Sequence, residues 1–288
     1  MKFSGLAACL ILSCVPVLRA QEPAVTLRNT FSCDLRSAEG REYRVLVSKP
    51  IGETPPEGHP VVYVLDGGDN FPVMAQLAAR HGRYAKATGR DDGLIVVGID
   101  YPDEDEAVRR NRRYYDFTPA TPAENQPKHP KFKDPENTGG QDEFLRFLTE
   151  KVKPVIGSRF KVNSKRQAVW GHSLGGLMVL HTLFTRPEEF QVYLAVSPSI
   201  WWNGMSILAE EKSFVARGGA KVDLVLMAGG AESPHMAGDA RHLAERLAPL
   251  NGNGLGVFHV EFPGEDHGTV VVPSLNRAMP FILESSPR

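Results

Sequence analysis

The residues with the clearest chemical signature form a short glycine-flanked segment, Gly171-His172-Ser173-Leu174-Gly175. The pattern Gly-x-Ser-x-Gly is that of a nucleophile elbow, in which a serine stands on a tight turn between a strand and a helix. An apolar run precedes this segment and an apolar helical pattern follows it. The glycines matter because such a turn leaves no room for a Cβ where the flanking chain passes. We predict Ser173 as a nucleophile, with a plain glycine-rich turn as the alternative.

A serine hydroxyl is a weak nucleophile until a base accepts its proton, so the mechanism needs a histidine from later in the chain. The chain has nine histidines, and His267 follows the last predicted strand, where this kind of site places its base. His172 belongs to the elbow itself, and His181 and His259 fall on predicted core elements. We predict His267 as the general base, with an exposed loop histidine as the alternative.

An acid that orients the histidine is expected between the serine and the histidine, after the penultimate strand. Glu232 stands at that point, at the end of the segment Ala228-Gly229-Gly230-Ala231-Glu232. Asp239 and Asp266 are the other candidates, and a solvated glutamate is the alternative interpretation of Glu232. We predict Glu232 as the acid.

The negative charge that develops on a substrate carbonyl oxygen is received by two backbone N–H groups, one from the residue after the nucleophile. That residue is Leu174. The second donor is expected after the third strand, where the chain reads Leu65-Asp66-Gly67-Gly68-Asp69. We predict Leu174 and Gly68 as the donors of an oxyanion hole, with Gly67 as the neighbouring candidate and a plain turn as the alternative.

Basic and aromatic residues are concentrated between positions 109 and 115, as Arg109, Arg110, Arg112, Arg113, Tyr114 and Tyr115. Such a run is usually a solvated surface, but guanidinium groups beside aromatic rings suit an anionic aromatic ligand near a catalytic cleft. Trp201 and Trp202 follow another predicted strand. We predict them as a second wall of the same pocket, with core packing as the alternative.

The rest of the chain predicts the scaffold for these residues. Apolar runs typical of strands buried on both faces occur at 61–65, 94–99, 167–170, 192–196, 222–227 and 257–262. Helical patterns lie between or after most of them, at 72–88, 141–156, 175–185, 236–247 and 273–283. Two β-rich segments, 25–35 and 43–47, predict an N-terminal antiparallel hairpin. The alternation predicts an α/β fold with a mainly parallel central sheet covered by helices on both faces. Residues 101–140 show no periodic element and are predicted as a long loop.

The 288 residues, 42% of them hydrophobic, suffice for one sizeable core. Lys plus Arg number 33 and Asp plus Glu 34, a balance that gives no basis for binding nucleic acid or an anionic membrane surface. A basic start followed by an apolar stretch is typical of an export signal and is too short for a permanent membrane span. We predict a signal peptide at residues 1–20, one catalytic domain at 21–288, and a periplasmic or secreted protein whose oligomeric state stays open.

Cysteine usage agrees with this organisation. Removal of the signal peptide takes away Cys9 and Cys14 and leaves Cys33, so no disulfide can form within the mature chain. The alternative is a lipoprotein anchored at Cys14, because Ile11-Leu12-Ser13-Cys14 loosely matches a lipobox. The sequence has no metal-ligand cluster and no nucleotide-binding loop, so we expect neither a metal nor a cofactor.

Several segments together resemble the putative-esterase family of α/β-hydrolases, and within it the periplasmic esterases that open the trilactone ring of siderophores such as enterobactin and salmochelin. The matching segments cover most of the mature chain: YVLDG (63–67), RYYDFTP (113–119), GHSLGG (171–176), SPSIWW (197–202) and HGT (267–269). The resemblance implies the α/β-hydrolase fold and a catalytic pair of Ser173 and His267. It also implies that Arg113 reaches the active site and assists charge stabilisation or binds the substrate. Some members work as a serine–histidine dyad without a usual acid, which weakens the prediction of Glu232 as the acid.

We therefore predict a serine esterase that forms an acyl-enzyme and acts on the trilactone backbone of a catecholate siderophore, iron-free or ferric. Its predicted substrate-binding side chains are those of Arg113, Tyr115, Trp201 and Trp202. The alternatives are a general exported esterase for acetyl or feruloyl esters and a non-catalytic relative that only binds a ligand.

Overall fold

The computed structural model describes residues 26–88, 93–126, 128, 135 and 137–283. The predicted signal peptide and the lipobox cysteine Cys14 lie outside these residues. The strands are β1 (Thr30–Arg36), β2 (Glu42–Ser48), β3 (His59–Val64), β4 (Ile95–Asp100), β5 (Val162–His172), β6 (Val192–Val196), β7 (Asp223–Gly229) and β8 (Gly256–Phe262). They form one sheet in the order β1-β2-β4-β3-β5-β6-β7-β8.

The sheet is parallel except at one edge. β1 and β2 pair as an antiparallel hairpin with Phe31 opposite Val47, and β2 pairs antiparallel with β4. Every other neighbouring pair, from β4–β3 to β7–β8, is parallel. The predicted mainly parallel sheet with an N-terminal antiparallel hairpin is confirmed. The carboxyl ends of β3, β5, β6, β7 and β8 consequently meet at the same edge, where an α/β sheet of this kind binds its ligands.

Helices cover both faces of the sheet: α1 (Gly67–Ala87), α2 (Glu106–Phe117), α3 (Gln141–Phe147), α4 (Lys153–Arg159), α5 (Leu174–Thr185), α6 (Trp202–Met205), α7 (Ile207–Ala216), α8 (Pro234–Leu247) and α9 (Val271–Leu283). A π-helical turn, Leu148–Val152, joins α3 to α4. On one face α1 and α9 pack against alternate strand residues such as Val64 and Trp170. On the other face the core combines α2 to α5, α7 and α8 with residues such as Tyr63 and Val169.

The prediction of a loop over residues 101–140 is wrong in its first half. The helix α2 occupies Glu106–Phe117. Asp105 caps its N-terminus, because the Asp105 side chain accepts hydrogen bonds from the N–H groups of Ala107 and Val108 at 2.7 and 3.1 Å. Its only buried residues are Asp116 and Phe117, so no apolar stripe marks it in the sequence. Helix α7 was also absent from the predicted elements.

A buried histidine links three helices on one face of the sheet. His181 of α5 lies 3.2 Å from Asp142 Oδ1 of α3 and 2.9 Å from Glu210 Oε2 of α7. Burial works against its charge, but the hydrogen bonds that the ring donates to the two carboxylates prevail and raise the pKa of His181 to about 9. His181 is therefore a structural ion-paired residue, consistent with its predicted place in the core.

None of the helices within the described residues is both long and apolar enough to cross a lipid bilayer.

Candidate active site

The segment around Ser173 has the geometry of a nucleophile elbow. Ser173 stands between the end of β5 and the start of α5 with φ 60° and ψ −117°, a conformation that costs energy for a residue with a side chain. A Cβ added at Gly171 would lie 2.3 Å from the carbonyl oxygen of Gly175, so only glycine allows the strand and helix to approach this closely. The strained turn presents the Ser173 side chain at the carboxyl edge of the sheet.

The turn after β6 lies directly against the elbow. The N–H of Ser173 donates to the carbonyl of Val196 at 2.9 Å, and the N–H of Ser199 donates to the carbonyl of Ser173 at 3.1 Å. The Oγ atoms of Ser173 and Ser199 are 3.4 Å apart, and Ser199 is buried. Ser199 is not among the predicted site residues; the signals for it are its place just past a buried strand and its membership of the SPSIWW segment.

His267 is held beside the elbow by a carboxylate on one side and a ring on the other. Its Nδ1 lies 3.0 Å from Glu232 Oε2, and its ring centroid is 4.5 Å from that of His172, the residue before Ser173. The Nδ1 position is thus occupied by Glu232, which leaves Nε2 as the ring nitrogen for a serine proton. The structure brings Ser173, His267 and Glu232 together at one edge.

The Glu232 side chain is fully buried, with an exposed fraction of 0%. Its Oε1 accepts hydrogen bonds from the N–H of Gly229 at 2.7 Å and from Ser197 Oγ at 2.5 Å. Burial opposes the carboxylate charge, but the hydrogen bonds from His267, Ser197 and Gly229 outweigh it and lower the pKa of Glu232. A buried carboxylate kept ionised next to an imidazole can hold the ring and stabilise its protonated form.

The two other acid candidates have different surroundings. Asp266 Oδ1 accepts hydrogen bonds from the N–H groups of Gly268 and Thr269, both at 2.9 Å, and so shapes its own loop. Asp239 lies on α8. Of the three candidates, Glu232 is the carboxylate that is hydrogen-bonded to His267.

His172 forms a neutral wall of the site. Burial, followed by the effect of the neighbouring His267, lowers the pKa of His172 to about 4. His172 is therefore uncharged at neutral pH and does not compete with His267 for protonation.

Arg113 ties the turn after β3 to the elbow. Its Nε and Nη2 donate to Asp66 Oδ1 and Oδ2 at 2.7 and 2.9 Å, and Nη2 also donates to the carbonyl of His172 at 3.2 Å. Asp66 has a left-handed backbone with φ 52° and ψ 53° at the start of α1. The implied position of Arg113 near the active site agrees with these contacts, and its forked side chain is committed mainly to Asp66.

The predicted oxyanion donors lie on the two turns next to Ser173. Leu174 is the first residue of α5. Gly68 lies in the first turn of α1, where an added Cβ would be 2.7 Å from both Asp100 Oδ2 and Arg109 Nη2. It is Asp66 that approaches the elbow, because an added Cβ at Gly175 would lie 3.4 Å from its Oδ2. The role of Gly68 stays a prediction.

The predicted aromatic wall is divided by the structure. Trp202 is buried, stacks on Tyr114 at a centroid distance of 5.7 Å, and donates to Thr121 Oγ1 at 2.8 Å. Trp201 is 38% exposed and donates from Nε1 to Met236 Sδ at 3.1 Å. Core packing, the alternative interpretation, therefore applies to Trp202 and not to Trp201.

Tyr115 points to a different part of the molecule from Arg113. Its ring lies under the guanidinium of Arg41 at 4.0 Å, and an added Cβ at Gly140 would meet the same ring. The structure therefore does not bring Tyr115 to the cavity beside the elbow.

A polar cavity of about 460 Å³ adjoins the elbow, lined among others by Asp66, Asp69, Arg109, Arg113, His172 and Gly268. Arg109 is not a freely solvated charge, because its Nη2 donates to Asp100 Oδ1 at 2.8 Å. Among the described residues, no group of three or more histidine, cysteine, aspartate or glutamate side chains is arranged to hold a metal ion.

The chain is similar to proteins of known name over most of its length. It matches the family described as "Putative esterase" over residues 37–249. It is 38% identical to the ferri-bacillibactin esterase BesA of Bacillus subtilis, with 85% of this chain and 86% of the relative covered. It is 32% identical to the siderophore triacetylfusarinine C esterase of Aspergillus fumigatus, over 91% and 96% of the two chains.

The solved structures agree with the sequence relatives. The crystal structure of the BES protein from Bacillus cereus is 36% identical and superposes with a TM-score of 0.83, covering 92% of this chain and all of that one. The enterobactin hydrolase IroE, at 24% identity and a TM-score of 0.68, shares the fold. The chain therefore belongs to the putative-esterase family of α/β-hydrolases and is a carboxylic-ester hydrolase.

Proposed function

We propose that this protein hydrolyses the ester bonds of a siderophore, with Ser173 as nucleophile, His267 as general base and Glu232 as the acid that orients His267. The observation that carries the proposal is the hydrogen bond of 3.0 Å between Glu232 Oε2 and His267 Nδ1, with the imidazole packed against the elbow. Because Nδ1 is bonded to Glu232, Nε2 is the ring nitrogen left to accept the serine proton, which supports a triad rather than a dyad.

The reaction follows from the roles of these groups. Ser173 Oγ attacks the ester carbonyl carbon while its proton passes to His267 Nε2, and backbone N–H groups near Leu174 receive the charge of the carbonyl oxygen. The tetrahedral intermediate collapses, and His267 returns the proton to the departing alkoxide, which leaves as an alcohol. Water then attacks the acyl-enzyme in the same way, releasing a carboxylic acid and restoring Ser173.

The siderophore substrate is inferred from the relatives. The relatives at 32 to 38% identity are named as esterases of bacillibactin, triacetylfusarinine C and enterobactin. The cavity beside the elbow is lined by Arg109, Arg110 and Arg113 together with acidic groups. Arg109 and Arg113 are paired with Asp100 and Asp66 in this cavity, so the proposed substrate class rests on the named relatives and not on the charge of the cavity. The location in the periplasm or outside the cell rests on the export signal predicted at residues 1–20.

Two substitutions test the catalytic proposal. Ser173→Ala and His267→Ala should each abolish ester turnover without unfolding the protein. The two residues act as one catalytic unit, so the loss of either costs about as much as the loss of both. Labelling by a fluorophosphonate probe, measured by intact mass, should occur in the wild type and be lost in Ser173→Ala. Wild-type turnover in either variant would contradict the proposed mechanism.

The contribution of the acid is measured separately. Glu232→Gln keeps the shape of the side chain but removes its charge, so kcat should fall by at least about a hundredfold, as expected when the histidine loses its orienting carboxylate. A loss below about tenfold with an unchanged melting temperature would favour a dyad.

The substrate class needs a hydrolysis panel. We expect kcat/KM for ferric or iron-free enterobactin and bacillibactin to exceed that for aryl acetate and feruloyl esters. Higher kcat/KM for the simple esters, with Ser173→Ala inactive on all of them, would show that the protein is a general esterase and not a siderophore esterase.

A further inference from the structure

The buried carboxylate of Glu232 depends on a hydroxyl donor from a separate strand. Ser197, at the carboxyl end of β6, donates from Oγ to Glu232 Oε1 at 2.5 Å, while Gly229 supplies the second donor at 2.7 Å. His267 uses the other carboxylate oxygen, Oε2. Two donors on Oε1 therefore fix the rotation of the carboxylate about its Cγ–Cδ bond, and with it the direction of Oε2 towards the imidazole.

Ser197 carries its hydroxyl on a strained backbone. Ser197 has a positive φ of 41° and an exposed fraction of 0%. A left-handed conformation favours glycine, and any residue with a Cβ there costs free energy. Serine occupies a position where glycine would be less strained, and its Oγ is bonded to Glu232. Strained residues held in this way cluster at functional sites.

The same turn contacts the nucleophile. The carbonyl of Val196, the residue before Ser197, accepts the N–H of Ser173 at 2.9 Å, and the N–H of Ser197 donates to the carbonyl of Met227 in β7 at 2.7 Å. The Ser197 backbone is consequently fixed between the elbow strand β5 and the strand β7 that leads to Glu232. This places one short turn in contact with both the nucleophile and the acid.

We propose that Ser197 is a positioning residue for ester hydrolysis, acting through Glu232 to hold His267 in its productive orientation. This inference rests on the proposed function, because it assumes that Glu232 and His267 take part in turnover. The ionisable groups facing Glu232 are His267 and His172, of which His172 is neutral at pH 7. The hydrogen bond from Ser197 Oγ is thus one of three that stabilise the ionised form of the buried Glu232 carboxylate, beside those from Gly229 and His267.

The test compares Ser197→Gly and Ser197→Ala with Ser274→Ala. Ser274 is an equally buried serine on α9 whose Oγ donates to the carbonyl of Val271 at 2.7 Å, and it serves as the matched control. We expect Ser197→Gly to lower kcat by about tenfold or more, the effect of one hydrogen bond to a charged group, with KM changed less than about twofold. Its melting temperature should stay close to that of the wild type, because glycine relieves the positive φ. Ser274→Ala should leave kcat unchanged.

The pH profile distinguishes positioning from a structural role. Loss of a hydrogen bond to the ionised carboxylate raises the pKa of Glu232, so the loss of kcat/KM relative to the wild type should grow at acidic pH in both Ser197 variants, where more of Glu232 is protonated and cannot orient His267. In the Glu232→Gln background, Ser197→Ala should cause less than about a twofold further loss, because the two residues act on the same step.

The outcomes separate this inference from the proposed function. If kcat of Ser197→Gly stays within about twofold of the wild type while Ser173→Ala is inactive, Ser197 has no positioning role and the proposed function stands. A tenfold loss from Ser197→Ala that persists in the Glu232→Gln background also overturns it, since the effect would not pass through Glu232. Turnover by Ser173→Ala would instead contradict the proposed function itself.

Discussion

Replacing Arg113 tests whether its guanidinium acts on turnover by joining two turns of the active site or by binding the substrate directly. In the structure, Nε and Nη2 donate to both carboxylate oxygens of Asp66, and Nη2 also donates to the carbonyl of His172 next to Ser173. The residue therefore holds the turn after β3 against the elbow. Loss of this link should move the groups that receive the oxyanion, whatever ester is bound.

The expected magnitude follows from the bonds that are lost. Hydrogen bonds to charged groups contribute about 1.5–3 kcal/mol, but the side chains of Arg113 and Asp66 are 26% and 15% exposed, so solvent reduces that contribution. Arg113→Lys keeps the charge but loses the fork, and should cost about 1–2 kcal/mol, or about 5- to 30-fold in kcat/KM. Arg113→Ala leaves Asp66 unpaired and should cost about 2–4 kcal/mol, or roughly 30- to 800-fold.

The assay measures kcat/KM of each variant on two substrates, a catecholate trilactone and a small aryl acetate. A link between turns predicts the same proportional loss on both, whereas direct substrate binding predicts a loss confined to the trilactone. Arg146→Ala is the control, because Arg146 is an exposed arginine of α3 paired with Glu39 and such surface pairs contribute little. Arg113→Ala within about twofold of the wild type on both substrates would refute the reasoning.

Gly171→Ala should abolish soluble expression or turnover, because the new Cβ would lie 2.3 Å from the carbonyl oxygen of Gly175; wild-type yield and kcat would contradict the elbow geometry. Ser199→Ala should lower kcat/KM by less than about threefold, since its Oγ is 3.4 Å from that of Ser173, beyond a normal O–H···O distance. A much larger loss would make Ser199 part of the machinery. His181, with a pKa of about 9 against roughly 6.5 when unfolded, stabilises the fold fully below pH about 6.5, and this contribution of up to about 3 kcal/mol is lost as pH rises through 9. Between about pH 6 and about pH 9.5, the free energy of unfolding measured in urea should therefore decrease more for the wild type than for His181→Gln. Equal decreases would show that His181 makes no such contribution.

The sequence alone determined the fold class and the order of its main elements. Strands buried on both faces are continuous apolar runs, and the run 192–196 coincides with β6 to the residue. The elbow at Ser173 was equally visible, because a turn that excludes a Cβ imposes glycines at short, constant spacing. The position of His267 followed from its place after the last strand.

Helix α2 was hidden because its stability does not come from an apolar stripe. Its arginines are paired with carboxylates that lie elsewhere in the chain, Asp100 for Arg109 and Asp66 for Arg113. Only the folded structure brings these partners together, so the segment has the composition of a solvated loop when it is examined by itself.

The tertiary structure alone decided how the site is assembled. Glu232, Ser197 and His267 follow β7, β6 and β8, three strands that are adjacent in the sheet but up to 70 residues apart in the chain. Local patterns reveal neither which carboxylate is bonded to the histidine nor that Trp202 is buried while Trp201 is exposed. Those outcomes depend on strand order and on the contacts of loops from different strands, which arise only when the whole sheet packs.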